Sequence, residues 1–312
     1  MAEKKRFFYG WLILLTCILI MGLGYAPLVS CASLFTKPVT EDLGFTRSGY
    51  ALVSTIAALM MAFMSPFIGK IMSKPYMHKA LVVCMIGNCL AYYCYSFAST
   101  LPQFYVTAAC IGFFECGSTM IPVSVLITNW FRKKRGLVMS IAMVGSSIGG
   151  TILSPIIGNL IASQGWRFTY KAVGITRLVI LVPLVLLVIR RTPADMGTKA
   201  YGADEEGETG KARKTEREWN VSLKEVKKKP MFWCFVLGCT LISATAAVIT
   251  QIPASVMDAG YATTTAASIA SLYLFIAIPG KLVLGHIYDR YGVKAGILFG
   301  NTMFFLSVVC LI

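Results

Sequence analysis

The sequence contains few charged residues for its length. Only 14% of its 312 residues are Asp, Glu, Lys or Arg, whereas a soluble domain carries roughly 25%. Hydrophobic residues make up 56% of the chain, and the mean hydropathy is +0.70. This composition excludes an ordinary soluble domain and indicates that lipid is the solvent around much of the chain.

The chain also lacks the usual signatures of enzymes, metal sites and ATP-driven pumps. It has only two histidines, His78 and His286, and no CxxC or Cys/His spacing typical of metal binding. It has no GxxxxGK[ST] loop, and no nucleophile is accompanied by a base and an acid. Its ten cysteines all lie within apolar runs, as small buried residues do. We therefore expect no enzymatic activity, no cofactor and no metal.

Acidic residues are scarce relative to basic ones. The chain has 14 Asp and Glu against 29 Lys and Arg, which gives a net charge of +15. The basic residues occupy the breaks between apolar runs and form no patch interleaved with aromatic residues. This distribution argues against a nucleic-acid partner.

Nine apolar runs are long enough, or nearly so, to cross a bilayer as helices. About 20 residues are needed, because a helix rises about 1.5 Å per residue and the hydrocarbon core is about 30 Å thick. The runs are 8–36, 48–70, 80–98, 102–129, 136–162, 168–189, 231–257, 264–287 and 295–312. The first run has no cleavage site at the distance typical of a signal peptide, so we expect it to remain as an anchor. The predicted fold class is an all-α membrane protein in which the lipid bilayer is the main partner.

The positions of Lys and Arg predict the orientation of these helices. With a cytoplasmic N-terminus, 23 of the 29 fall on the cytoplasmic side and two within the runs. The four on the outside are Lys37, Arg47, Arg167 and Lys171. Because Lys and Arg resist translocation, we expect a multi-pass protein with a cytoplasmic N-terminus, located in the plasma membrane.

A polar stretch at 190–229 separates the sixth run from the seventh. It contains glycine and charges of both signs, which is typical of a flexible loop, and we expect a short helix near 216–229. A simple tether and a regulatory segment both fit this composition. We predict an N-terminal six-helix bundle at 1–190, a cytoplasmic loop at 191–230 and a partial C-terminal bundle at 231–312.

Two similar polar segments lie at equivalent places in the two halves. GHIYDRYGVK spans 285–294, and a divergent counterpart, GKIMSKPYMHK, spans 69–79. The 285–294 motif resembles the loop signature G-x-x-x-D-R-x-G-R/K of the major facilitator superfamily. The 69–79 motif departs from it, with Ser73 in the place of Asp and Tyr76 in the place of Gly.

Other segments resemble one branch of that superfamily, the monocarboxylate transporters and oxalate/formate antiporters. They are FYGW near the N-terminus, NWFRKKRGLVMSIAMVGSSIGG, GWR, RRTPADMG and IPGKLVLGHIYDRYG. The resemblance implies a major facilitator fold with an incomplete three-helix C-terminal bundle. The superfamily usually has twelve spans and this sequence stops at Ile312, in or just after the ninth, so we expect a C-terminal truncation.

The 285–294 motif has a physical role that its residues predict. A glycine lets two helices approach closely, and an acidic group one turn later can accept hydrogen bonds from the N-terminus of a neighbouring helix. The resemblance places that N-terminus at the start of the fifth span. Both a gate between the halves and a simple topology anchor fit this pattern. The residues concerned are Gly285, Asp289, Arg290, Gly292, Arg135 and Gly136.

Lys281 lies inside the eighth run, one turn before Gly285. A charged residue costs about 2.5–3.5 kcal/mol at a helix centre, so it needs a reason to be there. In the branch named above, a cation at this position resembles the group that meets the substrate carboxylate. Relatives typically have Arg there, and some have an acid four residues earlier, where this chain has Ala277. The alternative is a lysine whose amine extends to the cytoplasmic surface.

Two further ionisable residues lie within runs. Glu115 is compatible with relaying a proton, with pairing to a buried cation, or with being protonated and packed. For Arg177 we favour structural pairing or extension outwards, because the resemblance places sixth spans at the periphery. Tyr25 and Gln251 are polar groups on the first and seventh runs, which line the cavity in this superfamily. We include all four with Lys281 as candidate substrate-binding residues, whereas the small residues of the fifth run, Gly145 to Gly150, are expected to serve helix packing.

Three functions remain open on this evidence. The first is secondary transport of a small organic anion, a mono- or dicarboxylate, by proton symport or anion exchange, with Lys281 as the counter-charge. The second is export of hydrophobic cations or drugs, with Glu115 as the principal charge. The third is a membrane protein without transport activity, either a truncated remnant or a sensor that acts through the 190–229 loop. We expect a monomer whose partners are the anion and a coupling proton or counter-anion.

Overall fold

The computed structural model describes residues 8–202, 223–234, 236–238, 240 and 251–309. The helices of the first half, numbered in chain order, are α1 (Gly10–Leu43), α2 (Arg47–Met72), α3 (Met77–Phe97) and α4 (Leu101–Trp130). One continuous helix, Arg135–Val188, provides α5 (135–164) and α6 (166–188). The second half provides α7 (Ile252–Asp258), and the helix Thr263–Val309 provides α8 (263–291) and α9 (293–309).

Two of these helices are too long to cross a bilayer once. Arg135–Val188 has 54 residues and Thr263–Val309 has 47, which correspond to about 80 Å and about 70 Å of helix. Each is interrupted at a single glycine with a positive φ angle, 80° at Gly165 and 83° at Gly292. Residues with a Cβ rarely adopt such angles, so glycine permits the chain to change direction between the two helices. The breaks lie where the sequence predicts the loops between spans five and six and between spans eight and nine.

Helix α1 is a composite of several helical forms. An α-helical part, Gly10–Leu19, leads into a π-helical turn, Ile20–Tyr25, and then into a short α-helical turn, Ala26–Val29. A 3-10 turn, Ala32–Phe35, and an α-helical part, Thr36–Leu43, complete it. The sequence predicts a first span that ends at residue 36, and the structure extends it by about two turns.

Local sequence explains where α2 and α4 begin. The Thr46 hydroxyl accepts a hydrogen bond from the Gly49 amide at 3.2 Å, which caps α2. Thr100 and Gln103 form a reciprocal capping box at the start of α4. Such caps satisfy amides that would otherwise have no partner in the first helical turn.

The helices pack into one body with two apolar clusters. One cluster lies at the end of the molecule that contains Trp130 and Asp289, which we call the Asp289 end. The other is rich in aromatic rings and lies at the opposite end, near Asp258, which we call the Asp258 end. Its core includes Phe35 stacked on Tyr170 with ring centroids 4.1 Å apart. The most extensive contact between elements joins Thr263–Val309 to Arg135–Val188.

The predicted fold class is confirmed, with three local corrections. Part of the predicted flexible loop is held in place, since Tyr201 donates its amide to the Trp130 carbonyl at 2.9 Å. The described part of the predicted helix near 216–229 forms a single turn, Leu223–Val226. The prediction that the cysteines are buried fails at three positions where the side chain is exposed, namely Cys94, Cys110 and Cys234.

Several predictions concern residues outside the described part of the chain. These are the basic residues Lys4–Arg6, residues 203–222 of the predicted loop, and positions 241–250 of the seventh run.

Candidate functional site

Lys281 lies on α8 where this helix packs against α5. Its ammonium donates to the Met143 carbonyl at 3.1 Å and to the Ser146 hydroxyl at 2.8 Å. The side chain is therefore directed towards the other half of the molecule, and the alternative in which its amine extends to the surface is wrong. No carboxylate in the described part of the chain forms an ion pair with it.

The small residues of α5 have two roles. Gly145 and Gly149 lie directly against the backbone of α1 at Ile18 and Gly22, so a Cβ at either position would collide with it. This is the packing role that the sequence predicts. The neighbouring Ser146, for which the sequence predicts packing as well, also accepts the hydrogen bond from Lys281.

Asp289 joins the two halves at the Asp289 end. Its carboxylate accepts a hydrogen bond from the Gly136 amide at 3.0 Å and another from the Leu137 amide at 2.7 Å. These amides belong to the first turn of α5, where backbone N–H groups have no partner within the helix and the dipole favours an anion. The contact has the geometry expected from the sequence.

The helices approach closely beside this carboxylate. A Cβ placed at Gly285 would collide with the Ser140 side chain and lie 3.2 Å from the Gly136 carbonyl. Glycine at 285 therefore allows the approach that brings Asp289 within hydrogen-bonding distance of α5.

The other residues predicted for this junction lie around it. Arg135 donates from Nε to the Phe131 carbonyl at 3.0 Å, one turn before, and so shapes the start of α5. The Arg290 guanidinium lies 5.5 Å from the Tyr291 ring centroid. Gly292 forms the break between α8 and α9.

The 69–79 motif forms a different contact. In place of an acid, Ser73 offers its backbone carbonyl, which accepts a hydrogen bond from Arg191 Nη2 at 2.7 Å. This contact lies within the first half of the chain, because Arg191 follows α6. The divergent motif therefore ties α2 to the end of α6.

The Asp258 end has its own contact between the halves. The Arg47 guanidinium at the start of α2 forms an ion pair with Asp258 at the end of α7. The Lys37 ammonium donates to the Met257 carbonyl at 2.7 Å. From Thr263 to Asp289 is about 40 Å along a helix, so these contacts and the Asp289 contact lie at opposite ends.

A second polar cluster is buried inside the first half. Asn88 donates from Nδ2 to Glu115 Oε2 at 2.8 Å and accepts a hydrogen bond from Arg177 Nη2. Arg177 Nη2 also donates to the Gly24 carbonyl at 2.8 Å, and the Thr119 hydroxyl donates to Glu115 Oε1 at 2.9 Å. The expectation that Arg177 extends outwards is wrong, and the alternative of structural pairing describes it.

Asn88, which bridges the two charges, was not among the residues predicted from the sequence. An amide in the middle of the apolar run 80–98 was a usable signal, because a buried polar group needs a partner. Its partners on α4 and α6 are distant in sequence, and only the packing brings them together.

Tyr25 and Gln251 occupy different places. Tyr25 ends the π-helical turn of α1 and lies within electrostatic range of Glu115. Gln251 immediately precedes α7 and is exposed. No hydrogen bond between described residues joins its side chain to Lys281 or Glu115, so the structure does not assemble all five candidates into one site.

No group of three His, Cys, Asp or Glu residues suited to a metal ion occurs among the described residues. What the two polar sites offer instead is a cation and a carboxyl group. Lys281 can pair with an anion between the halves, and Glu115, which Asn88 separates from Arg177, can exchange a proton.

Comparison with known proteins identifies the wider group. A sequence model of the Major Facilitator Superfamily matches residues 12–312. Monocarboxylate transporter 2 of Homo sapiens is 24% identical over 229 residues, which cover 72% of this chain and 45% of that protein. MFS-type transporter pytF of Aspergillus terreus is 26% identical over 209 residues, covering 67% and 62% respectively.

A solved structure has a similar fold. It is a bacterial homolog of the human lysosomal transporter Spinster in an inward-facing, unoccupied conformation, with a TM-score of 0.70 at 17% sequence identity. The match covers 93% of this chain and 64% of the bacterial chain. The chain thus spans about half to two thirds of the length of these relatives.

Proposed function

Since the chain belongs to the major facilitator superfamily, we propose that it is a secondary transporter of small organic anions, namely mono- or dicarboxylates, working by alternating access. The coupling is proton symport or exchange against a second anion. Residues 1–190 and 231–312 form the two moving bundles, and 191–230 connects them.

One observation carries this proposal, the environment of Lys281. Its ammonium is partly buried between α8 and α5, and its partners there are a carbonyl and a hydroxyl, both neutral. A buried cation without a counter-charge is unfavourable, so an anion entering between the halves gains its pairing energy. A primary amine holds a carboxylate as a point charge and not as a bidentate fork, which tolerates anions of different shape.

The surroundings of Glu115 favour an anion over a hydrophobic cation. Both carboxylate oxygens already accept hydrogen bonds, and Arg177 lies on the far side of Asn88. At these two sites a cationic drug would meet the positive charges of Lys281 and Arg177, and no described carboxylate there is without hydrogen-bond partners.

The contacts at the two ends suit the gates of such a cycle. We propose that Asp289 closes the cytoplasmic side by binding the α5 amides and that Arg47 and Asp258 close the outer side. Each contact joins one half to the other, so opening either side requires that contact to break.

The test is uptake into proteoliposomes that contain the chain with any in-frame continuation beyond Ile312. Labelled lactate, pyruvate, formate and oxalate are supplied to the native protein, Lys281→Ala, Lys281→Arg and Lys294→Ala. We expect Lys281→Ala to lose uptake by about tenfold or more, since about 1.4 kcal/mol of binding corresponds to tenfold. Lys281→Arg retains the charge and part of the uptake.

The control Lys294→Ala removes an exposed lysine just beyond the end of α8 and is expected to leave uptake unchanged. The proposal fails if the native protein takes up none of these carboxylates, or if Lys281→Ala transports as well as Lys294→Ala. Resistance to a cationic drug that depends on Glu115 and not on Lys281 would favour export of hydrophobic cations instead.

A further inference from the structure

The cluster of Asn88, Glu115 and Arg177 is almost completely removed from solvent. These side chains are 0%, 4% and 1% exposed. They lie on α3, α4 and α6, and the function proposed for Lys281 does not use them. Charged groups at such depth in a membrane protein are costly and are usually retained for a purpose.

The amide of Asn88 separates the two charges of this cluster. Arg177 can only donate, so the amide oxygen must face it, and the amide nitrogen then faces Glu115. Within the described residues Glu115 and Arg177 form no direct ion pair. The carboxylate is therefore held by one amide and one hydroxyl, and not by the guanidinium itself.

The donors of Arg177 are only partly used. Its Nη2 binds the Gly24 carbonyl and Asn88, whereas Nε and Nη1 are buried and have no hydrogen-bond partner among the described residues. The neighbouring Tyr92 hydroxyl is also buried with no partner in that part of the chain, and the guanidinium carbon lies 4.9 Å from the Tyr92 ring centroid. Such unpaired groups are rare in folded proteins and call for an explanation.

The groups around Glu115 leave Arg177 as the charged one. The titratable side chains that act on Glu115 electrostatically are Arg177 from α6, Tyr25 from α1, Cys89 from α3 and Cys116 from α4. Thiols and phenols are neutral near neutral pH. The cluster is therefore neutral with Glu115 ionised and carries one positive charge with Glu115 protonated.

A continuous set of contacts leads from this cluster towards α5. Arg177 holds the carbonyl of Gly24, which belongs to the π-helical turn Ile20–Tyr25. In the same turn, a Cβ at Gly22 would lie 3.1 Å from the Gly145 carbonyl of α5. Short π-helical turns inside α-helices are often found at functional sites.

The last step reaches the anion site. The residue after Gly145 is Ser146, which accepts the hydrogen bond from Lys281. The π-helical turn of α1 thus lies between the Glu115 cluster and the helix that holds Lys281.

We propose that Glu115 carries the coupling proton of this transporter, and that Asn88 and Arg177 link its protonation to anion binding at Lys281 through the π-helical turn of α1. This inference rests on the function proposed above. In this proposal Glu115 takes the place of an acidic residue close to Lys281 in sequence, because the residue four positions before Lys281 is Ala277.

The charges of the cluster show what a bound proton would compensate. With the site empty, Lys281, Arg177 and ionised Glu115 together carry one positive charge. A bound proton adds one positive charge and a monocarboxylate removes one, so a carrier loaded with both has the same charge as the empty carrier. For a monocarboxylate, uptake with one proton at Glu115 is therefore electroneutral.

Glu115→Gln tests this proposal, because glutamine imitates the protonated side chain. The loaded carrier of this variant can still reorient, but its glutamine has no proton to release, so the empty carrier keeps the extra positive charge and cannot return. Uptake of labelled lactate driven by an inward proton gradient should fall by at least about tenfold, whereas exchange of external for internal lactate should stay within about twofold. Lys281→Ala should lose both.

Conservative and remote variants serve as controls. Glu115→Asp keeps an ionisable group and should restore part of the gradient-driven uptake. Glu225→Gln neutralises an exposed carboxylate and should change neither assay. Uptake of lactate by the native protein should not respond to a clamped membrane potential.

Infrared difference spectra between acidic and alkaline protein give a readout that does not depend on transport. We expect a protonated-carboxyl band that is lost in Glu115→Gln and retained in Glu225→Gln. A gradient-driven uptake that survives in Glu115→Gln would overturn the proposal. Lactate exchange with no response to the proton gradient in the native protein would also overturn it while leaving anion transport intact, whereas no carboxylate transport at all would defeat the proposed function itself.

Discussion

Charged residues are held in two contrasting ways in this protein. Inside the first half, Glu115, Asn88 and Arg177 bind one another and are almost fully buried. Between the halves, the described partners of Lys281 and Asp289 are all neutral groups, namely backbone amides, a carbonyl and a hydroxyl. The first arrangement is permanent within a bundle, and the second can be broken without leaving an opposite charge unpaired.

The difference has a physical reason. Separating two opposite charges that are buried in one hydrogen-bonded cluster leaves both uncompensated in a medium of low dielectric constant, which is very unfavourable. Separating a carboxylate from backbone amides leaves one charge, which water can solvate at an opening surface. The one ion pair across the halves in the described part of the chain, Arg47 with Asp258, lies where water can reach both partners.

The largest expected effect comes from breaking the buried cluster. Arg177→Leu leaves Glu115 without its counter-charge and should lower the free energy of unfolding by about 3–5 kcal/mol. Chemical denaturation in detergent measures this. The control Arg290→Leu removes an exposed guanidinium and should change the value by less than about 0.5 kcal/mol.

A double variant sharpens the same point. Replacing both Arg177 and Glu115 by Leu removes the charges together and should recover most of the stability lost in Arg177→Leu. If Arg177→Leu is no more destabilising than Arg290→Leu, the buried cluster of the first half is not held more strongly than the charges between the halves.

The junction at Asp289 should be more tolerant. Asp289→Ala removes two hydrogen bonds to a charged acceptor, and because the site is exposed we expect a loss of about 1.4 kcal/mol, or roughly tenfold in the closed-to-open ratio. Hydrogen exchange at the Gly136 and Leu137 amides reports it directly, and it should become roughly tenfold faster.

Lys294→Ala is the matched control for this measurement and should leave exchange at those amides unchanged. Exchange in Asp289→Ala that equals the native rate would show that the carboxylate does not hold the halves together.

A substitution at Gly285, where α8 approaches α5, is expected to weaken the junction slightly less than Asp289→Ala does. Gly285→Ala places a methyl group against Ser140 and should cost about 1 kcal/mol at the junction. Adding Ser140→Gly creates room and should restore slow hydrogen exchange at Gly136. If Ser140→Gly gives no rescue, the contact between these two residues does not limit the approach.

The smallest effect is expected at the Asp258 end. A double-mutant cycle of Arg47→Ala, Asp258→Ala and the double variant should give a coupling energy below about 1 kcal/mol, because both partners are solvated. Added salt should reduce this coupling energy further. A coupling as large as that of the buried cluster would remove the distinction between permanent and separable charges.

The membrane class and the junction at Asp289 were predictable from the sequence. Long apolar runs leave few structures other than membrane-spanning helices, because the backbone polar groups of such a run must form hydrogen bonds within the helix when lipid surrounds it. The 285–294 motif pairs a glycine with an acid one turn later, and the family resemblance supplied its partner at the start of α5. Both features depend on neighbours in sequence or on a shared motif.

The pairing of buried polar residues was not predictable. The positions of Glu115 and Arg177 in apolar runs mark them as unusual, but the family resemblance predicts that Arg177 lies at the periphery. For Ser146 the sequence predicts packing alone, and it indicates no partner for Asn88. A hydrogen bond requires two side chains within about 3 Å, and nothing in the order of residues 88, 115 and 177 states that α3, α4 and α6 meet at that depth.

The sequence by itself thus determined the solvent of this protein, its long apolar runs and the places of the breaks between spans five and six and between spans eight and nine. Transfer of apolar side chains into lipid depends on composition and length, which can be counted along the chain. Only the tertiary structure decided which charges neutralise one another and which remain available between the halves. That choice depends on distances and burial across helices, and electrostatic energy in a medium of low dielectric constant changes steeply with both.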